Sequence, residues 1–119
     1  MSDAWKSYPR APRPGTVLCA AAALPTRGTL GVEVGGFPVL LVRAGGLRAF
    51  VNACPHQFLP LDYRGGGVLS ADGAVLRCSN HAAGFDAGTG MGIDGHGQGC
   101  WLDQVPVEVR DGQVVIGGD

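Results

Sequence analysis

Residues 29–42 read TLGVEVGGFPVLLV, which is two apolar segments separated by a pair of glycines. Segments 29–34 and 37–42 are rich in β-branched and large apolar side chains, which favour β-strands. Gly35 and Gly36 are typical of a two-residue hairpin turn, because glycine readily adopts the positive φ angles that such a turn requires. The stretch therefore predicts two antiparallel strands joined by a tight turn.

Shorter segments of the same kind lie on both sides of this hairpin, separated by turn residues such as Gly and Asp. They occupy residues 17–24, 47–52, 74–77, 105–109 and 114–116. The chain also contains 21 glycines and 8 prolines, which helix interiors tolerate poorly. Because no sustained helical periodicity or internal repeat is present, we expect an all-β fold, a small sandwich or barrel of antiparallel sheets with long loops.

Length and charge limit the class of protein. The 119 residues predict one domain over 15–119, preceded by a flexible, proline-containing arm over 1–14. A net charge of −1 indicates no basic surface for nucleic acid. No apolar run reaches the roughly 18 residues of a membrane helix, and the run at 17–24 is too short for a signal peptide. We therefore expect no membrane association and a location in the reducing cytoplasm.

Two Cys/His pairs carry the clearest chemical signal in the chain. Cys54 and His56 form a C-x-H pair, and Cys78 and His81 form a C-x-x-H pair. Four cysteines in a cytoplasmic protein indicate a metal more often than disulfides. Thiolates bind iron–sulfur clusters, and two imidazoles replace two of them in one cluster type. Structural Zn²⁺ is an alternative, although zinc fingers usually place both cysteines before both histidines and here the order alternates.

Other residues of the same types have simpler interpretations. Cys19 and Cys100 are expected to be small buried hydrophobic residues rather than ligands. His96 is expected to lie in a solvated loop. Three aromatic residues are expected in the core: Phe50, Phe85 and Trp101.

The two pairs and their surroundings resemble the Rieske ferredoxin-like domains over about 16–116. The sequence CPHQFLPL at 54–61 is similar to the family's C-P-H-x-x-x-P-L, and CSNHAAGFD at 78–86 is similar to its C-x-x-H-G-x-x-F-D. The resemblance implies stacked antiparallel sheets, two cluster-binding loops at one tip and one [2Fe–2S] cluster per chain. The implied cluster-binding and metal-ligating residues are Cys54, His56, Cys78 and His81.

The resemblance also implies an electron carrier rather than an enzyme. We expect one-electron transfer by a ferredoxin-like shuttle between a reductase and an oxygenase or other oxidoreductase, so that the partners are redox proteins. The alternative is the cluster-bearing small subunit of a larger oxidoreductase. A complete Rieske oxygenase is excluded on length, because 119 residues leave no room for a catalytic iron domain.

Three departures from the family pattern bear on the cluster. Ala82 stands where the family usually has Gly, and residues 94–99 take the place of a third loop that covers the cluster. Leu59 and Asn80 occupy the positions where high-potential members have two additional cysteines that form a disulfide. The chain therefore resembles the low-potential branch, and we predict a potential near the low end of the Rieske range, about −150 mV.

Overall fold

The computed structural model describes residues 4–8, 10–53, 61, 68–70, 72–78, 83–95 and 101–117. Within these ranges the strands are β1 Val17–Ala20, β2 Gly28–Val34, β3 Phe37–Arg43, β4 Leu47–Val51, β5 Val75–Arg77, β6 Ala83–Asp86, β7 Gly92–Gly95, β8 Val107–Arg110 and β9 Gln113–Ile116. Short 3₁₀ helices occupy Ala4–Ser7 and Ala21–Ala23. No helix in the described part of the chain is long and apolar enough to cross a membrane.

The strands form three antiparallel sheets of three strands each, with the orders β1-β9-β8, β2-β3-β4 and β5-β6-β7. The predicted all-β class is therefore confirmed. The hairpin at 29–42 is confirmed in detail, with Val34 paired to Phe37 and both turn glycines at positive φ, 56° and 86°. Residues 17–24 are a correction: the strand ends at Ala20, and the alanines that follow form a 3₁₀ helix.

The sheet β2-β3-β4 is the middle layer, and β3 is accordingly buried on both faces. Side chains alternate between the two faces of a strand, and here both sets pack into apolar clusters. The first core contains Leu40, Val42, Phe50, Leu61, Val68, Leu76, Cys78, Ala83, Phe85, Ala87 and Leu102. The second core contains Trp5, Leu24, Phe37, Val39, Leu41, Ala49, Val51, Val105, Val114 and Ile116. Two-sided burial explains why the sequence of β3 is a continuous apolar run rather than an alternating one.

The first core lies between the middle sheet and β5-β6-β7, and the second lies between the middle sheet and β1-β9-β8. Phe50 on β4 and Phe85 on β6 both have no exposed surface, as predicted for core residues. A direct link between β4 and the chain after β7 comes from the bridge that Phe50 makes with Gln104. The three sheets are thus stacked, with the middle sheet shared by both cores.

The turn between β6 and β7 is held tightly against the middle sheet. Asp86 Oδ1 accepts hydrogen bonds from the backbone N–H groups of Gly88 and Thr89, at 2.7 and 2.9 Å. Gly90 follows at φ 82°, and a Cβ atom there would lie 2.6 Å from the carbonyl oxygen of Leu102 and 3.0 Å from the Phe50 ring. The position therefore requires glycine both for its backbone angle and for the close approach.

The N-terminal residues pack against the second core. Trp5 is 1% exposed, and its ring lies 6.4 Å from that of Phe37. The Tyr8 hydroxyl donates a 2.8 Å hydrogen bond to Asp103, and desolvation, this hydrogen bond and the negative charge of Asp103 raise the pKa of Tyr8 to about 12. Tyr8 therefore stays neutral across the physiological range. The division of the chain into an arm over 1–14 and a domain over 15–119 stays a prediction.

Replacing Gly90 with alanine tests the close approach, with Gly45 as a matched control. Gly45 has a similar φ of 78°, but a Cβ atom there would meet nothing within 4 Å. We expect Gly45→Ala to lower the free energy of unfolding by about 1 kcal/mol through backbone strain alone. Gly90→Ala adds a steric clash, and we expect it to cost roughly 1–3 kcal/mol more in urea unfolding. Equal losses for the two variants would show that the contact with Leu102 and Phe50 is unimportant.

Candidate metal centre

Cys78 lies at the end of β5, and its environment is the best defined of the predicted ligands. Its backbone N–H donates a 3.0 Å hydrogen bond to the carbonyl oxygen of Ala83, where β6 begins. Arg77 and Gly84 pair in the ladder directly before this bond. The residue is 6% exposed, and its thiol is free rather than part of a disulfide. The β5–β6 hairpin thus holds Cys78 at the border between the first core and residues 79–82.

Residues 54–60, which include the first Cys/His pair, begin three positions after β4 ends at Val51. On one side, Asn52 donates its backbone N–H to the carbonyl oxygen of Pro38 at 3.1 Å. On the other side, Leu61 is fully buried in the first core. The side-chain oxygen of Asn52 accepts a 2.8 Å hydrogen bond from the backbone N–H of Leu61. A buried hydrogen bond therefore joins Asn52, two residues before Cys54, to Leu61, directly after this segment.

Both predicted ligand segments are attached to the same core. Leu61 follows the first segment, Cys78 belongs to the second pair, and both are members of the first core. Phe50, near the end of β4, belongs to it as well. The fold therefore brings described residues close in sequence to each Cys/His pair into one hydrophobic cluster, which is consistent with a shared metal centre.

The other three predicted ligands, Cys54, His56 and His81, lie outside the described residues. Within the described ranges, no group of three or more Cys, His, Asp or Glu side chains comes together. The fit to a cluster therefore depends on the donor chemistry and on Cys78. Two thiolates and two imidazoles suit an iron–sulfur centre of the mixed type, and a free thiol at a strand end is available to ligate metal. The residues present fit the group.

A third segment, 94–99, was expected to be a loop, and the structure corrects its start. Asp94 and Gly95 belong to β7 and pair with Gly84 and Ala83 of β6. The sequence signal for β6 and β7 was weak because both strands are short and rich in glycine, which strand propensity disfavours. Ala82 and His96 lie outside the described residues, as do Leu59 and Asn80.

Trp101 is a second correction, because the sequence placed it in the core. It is 64% exposed and pairs with Met91, which is 57% exposed, in an isolated antiparallel bridge. Ile93 on β7, two residues after Met91 in the chain, is 41% exposed. We call these three residues the exposed apolar patch. Trp101 stays outside the core because it pairs with Met91 beside β7, which is an edge strand of its sheet.

Cys19 is not a ligand candidate by position. Cys19 lies in β1, half-buried beside the second core, and burial raises the pKa of its thiol. The second core is on the opposite side of the middle sheet from Cys78. Cys100 lies outside the described residues, so its predicted burial stays a prediction.

Asn52 is the residue of this region that sequence reasoning missed. It was included in a predicted strand, and nothing marked its side chain as special. The available signal was its type and place: a polar residue that ends an apolar strand two positions before Cys54. A buried polar side chain is stable only with a hydrogen-bond partner, and Leu61 provides one.

A comparison with protein families matches residues 15–108 to the Rieske [2Fe-2S] domain. The matched range contains both Cys/His pairs and all strands from β1 to β7. No curated protein matches the chain.

Several solved structures share the fold. The Sphingomonas yanoikuyae B1 ferredoxin is 23% identical with a TM-score of 0.72, and the match covers 88% of this chain and 99% of that chain. The ferredoxin of carbazole 1,9a-dioxygenase from Nocardioides aromaticivorans IC177 is 22% identical with a TM-score of 0.74, over 90% and 100% of the two chains. A chain from a complex of reduced oxygenase and oxidized ferredoxin in carbazole 1,9a-dioxygenase is 28% identical with a TM-score of 0.68, over 87% and 92%.

Proposed function

This chain belongs to the Rieske [2Fe–2S] domain family, and we propose that it is a free ferredoxin that carries electrons from a reductase to an oxygenase or related oxidoreductase. Its function is one-electron transfer through a [2Fe–2S] cluster, and it is an electron carrier rather than an enzyme. The observation that carries the proposal is the match along 99% and 100% of two chains that are themselves ferredoxins. A cytoplasmic location, no nucleic-acid partner and a potential near the low end of the range stay predictions.

We also propose the ligand set, Cys54, His56, Cys78 and His81. When bound, a [2Fe–2S] cluster supplies one-electron redox chemistry whose potential depends on its ligands and on the hydrogen bonds around it. The described residues contribute two hydrogen bonds that stabilise the backbone next to the proposed ligands. The bond from Cys78 to Ala83 ends the β5–β6 ladder directly before residues 79–82, and the bond from Leu61 to Asn52 joins residues that flank the first pair.

The exposed apolar patch supports transient docking to redox partners. Ile93 lies on β7, Met91 directly precedes it and Trp101 pairs with Met91, and β7 ends at Gly95, which pairs with Ala83. Ala83 is two residues after His81 in the chain. Contact through this patch would bring a partner beside the edge of the sheet that carries the second Cys/His pair. Aromatic residues and methionine are enriched in such contact surfaces.

Gel filtration together with stopped-flow spectroscopy tests the shuttle against the small-subunit alternative. A free ferredoxin is expected to elute as a soluble protein by itself and to be reduced rapidly by a flavoprotein reductase in the presence of NADH. A chain that is soluble only when it is produced with a larger partner would contradict the shuttle and favour the subunit.

Substituting Cys78 tests the ligand set, with Cys19 as the matched control. We expect Cys78→Ser to lose the cluster, because serine does not replace a thiolate that holds iron. Cys19→Ser is expected to keep full iron content and an unchanged visible spectrum, because Cys19 lies beside the other core. The readouts are iron and acid-labile sulfide per chain. Full iron in the Cys78 variant would remove this residue from the ligand set.

Substituting Trp101 tests docking, with Val109 as the control. Val109 is also an exposed apolar residue, at 56%, but it lies on β8 in the sheet that covers the second core. We expect Trp101→Ala to lower the second-order rate of reduction by a flavoprotein reductase by roughly tenfold, since an exposed Trp is a frequent centre of binding energy. The potential is expected to stay unchanged, as are both quantities in Val109→Ala. Equal rates for the two variants would exclude the patch as the docking surface.

A further inference from the structure

The polar side chain of Asn52 is buried, so it needs hydrogen-bond partners within the protein. It is 5% exposed, and among the described residues it is the one polar or charged residue in the buried class. Removing an amide side chain from water is costly unless its hydrogen bonds are replaced. Its Oδ1 atom accepts from the backbone N–H of Leu61 at 2.8 Å, with both groups buried.

This bond gives the buried backbone N–H of Leu61 a hydrogen-bond acceptor outside the β-ladder. The ladder between β3 and β4 ends with the pair Val39 and Val51, one residue before Asn52. Leu61 has no exposed surface, so its backbone N–H needs an acceptor within the protein. The side chain of Asn52 provides that acceptor across nine positions of sequence. The residues between the two ends include Cys54 and His56.

We propose that Asn52 is a positioning residue for the cluster: its side-chain amide joins the two ends of the segment that carries Cys54 and His56, and so positions this pair for binding the cluster. This inference rests on the proposed ligand set. Asn52 is anchored on one side by its backbone bond to Pro38 of the middle sheet. Leu61 is anchored on the other side in the first core, which also contains Cys78. The bond therefore connects Asn52, which precedes the first pair, to the core that contains Cys78 of the second pair.

Two substitutions of Asn52 and one control variant distinguish a positioning role from a general contribution to stability. Asn52→Leu keeps a similar volume but removes the acceptor, which leaves the Leu61 N–H buried without a partner. Asn52→Asp keeps an oxygen acceptor at the same place whether the carboxyl is ionised or protonated. The control is Val39→Ala, a cavity in the second core at a fully buried residue, on the face of the middle sheet opposite to the first core.

The first readout is the rate of cluster loss, measured as the decay of visible absorption in the presence of an iron chelator. We expect the cluster of Asn52→Leu to be lost at least about tenfold faster than that of the unaltered protein, which corresponds to about 1.4 kcal/mol. Asn52→Asp is expected to restore the half-life to within about threefold of the unaltered value. Val39→Ala is expected to lower the unfolding temperature without a matching change in cluster loss. Faster loss in Val39→Ala to the same degree, or an unchanged half-life in Asn52→Leu, would overturn the proposal.

The second readout does not depend on the cluster ligands. Hydrogen exchange followed by mass spectrometry on the purified protein is expected to show a slowly exchanging Leu61 amide that becomes fast in Asn52→Leu and not in Val39→Ala. A fast Leu61 amide in the unaltered protein would overturn the proposal by itself. If the amide is protected but the unaltered protein carries no iron–sulfur cluster, the proposed function fails while the hydrogen bond stands, so the two failures are distinguishable.

Discussion

Burial of β3 on both faces is the constraint on which the rest of the structure depends. Val39 and Leu41 face one core, and Leu40 and Val42 face the other, all with almost no exposed surface. At about 25 cal/mol for each Å² of apolar surface removed from water, such a strand contributes several kcal/mol only if both faces are covered. A single additional layer would leave one apolar face in water. The chain must therefore place one sheet on each side of the middle hairpin, and the stacked architecture follows.

The two outer sheets have different tasks. The sheet β1-β9-β8 closes the second core together with Trp5 and Leu24, and the proposed ligands are absent from its strands. The sheet β5-β6-β7 closes the first core and delivers Cys78 at a strand end. The two cores therefore differ in what they contain: the second holds none of the proposed ligands, and the first holds Cys78. Residues that border the cluster segments are then held by packing and by short hydrogen bonds rather than by the loops themselves.

Most of the framework could be predicted from sequence because its signals are local. The hairpin at 29–42 has glycines at both turn positions, and Asp111 and Gly112 in the last hairpin adopt positive φ as that turn type requires. What could not be predicted depends on contacts between distant residues. The strands β6 and β7 contain glycines that lower strand propensity, and pairing alone defines them. Trp101 was placed inside because it is large and apolar, whereas its exposure depends on its edge position. The hydrogen bond between Asn52 and Leu61 has no signature in a single sequence.

The most direct test of the account is low-temperature EPR of the dithionite-reduced protein, recorded together with its visible spectrum and its iron and zinc content. The account predicts two iron atoms per chain and the EPR signal of a [2Fe–2S] cluster with mixed nitrogen and sulfur ligation. Such a result would establish that both Cys/His pairs act at one centre. A colourless protein that contains one zinc ion would contradict it, and the two pairs would then form a structural metal site.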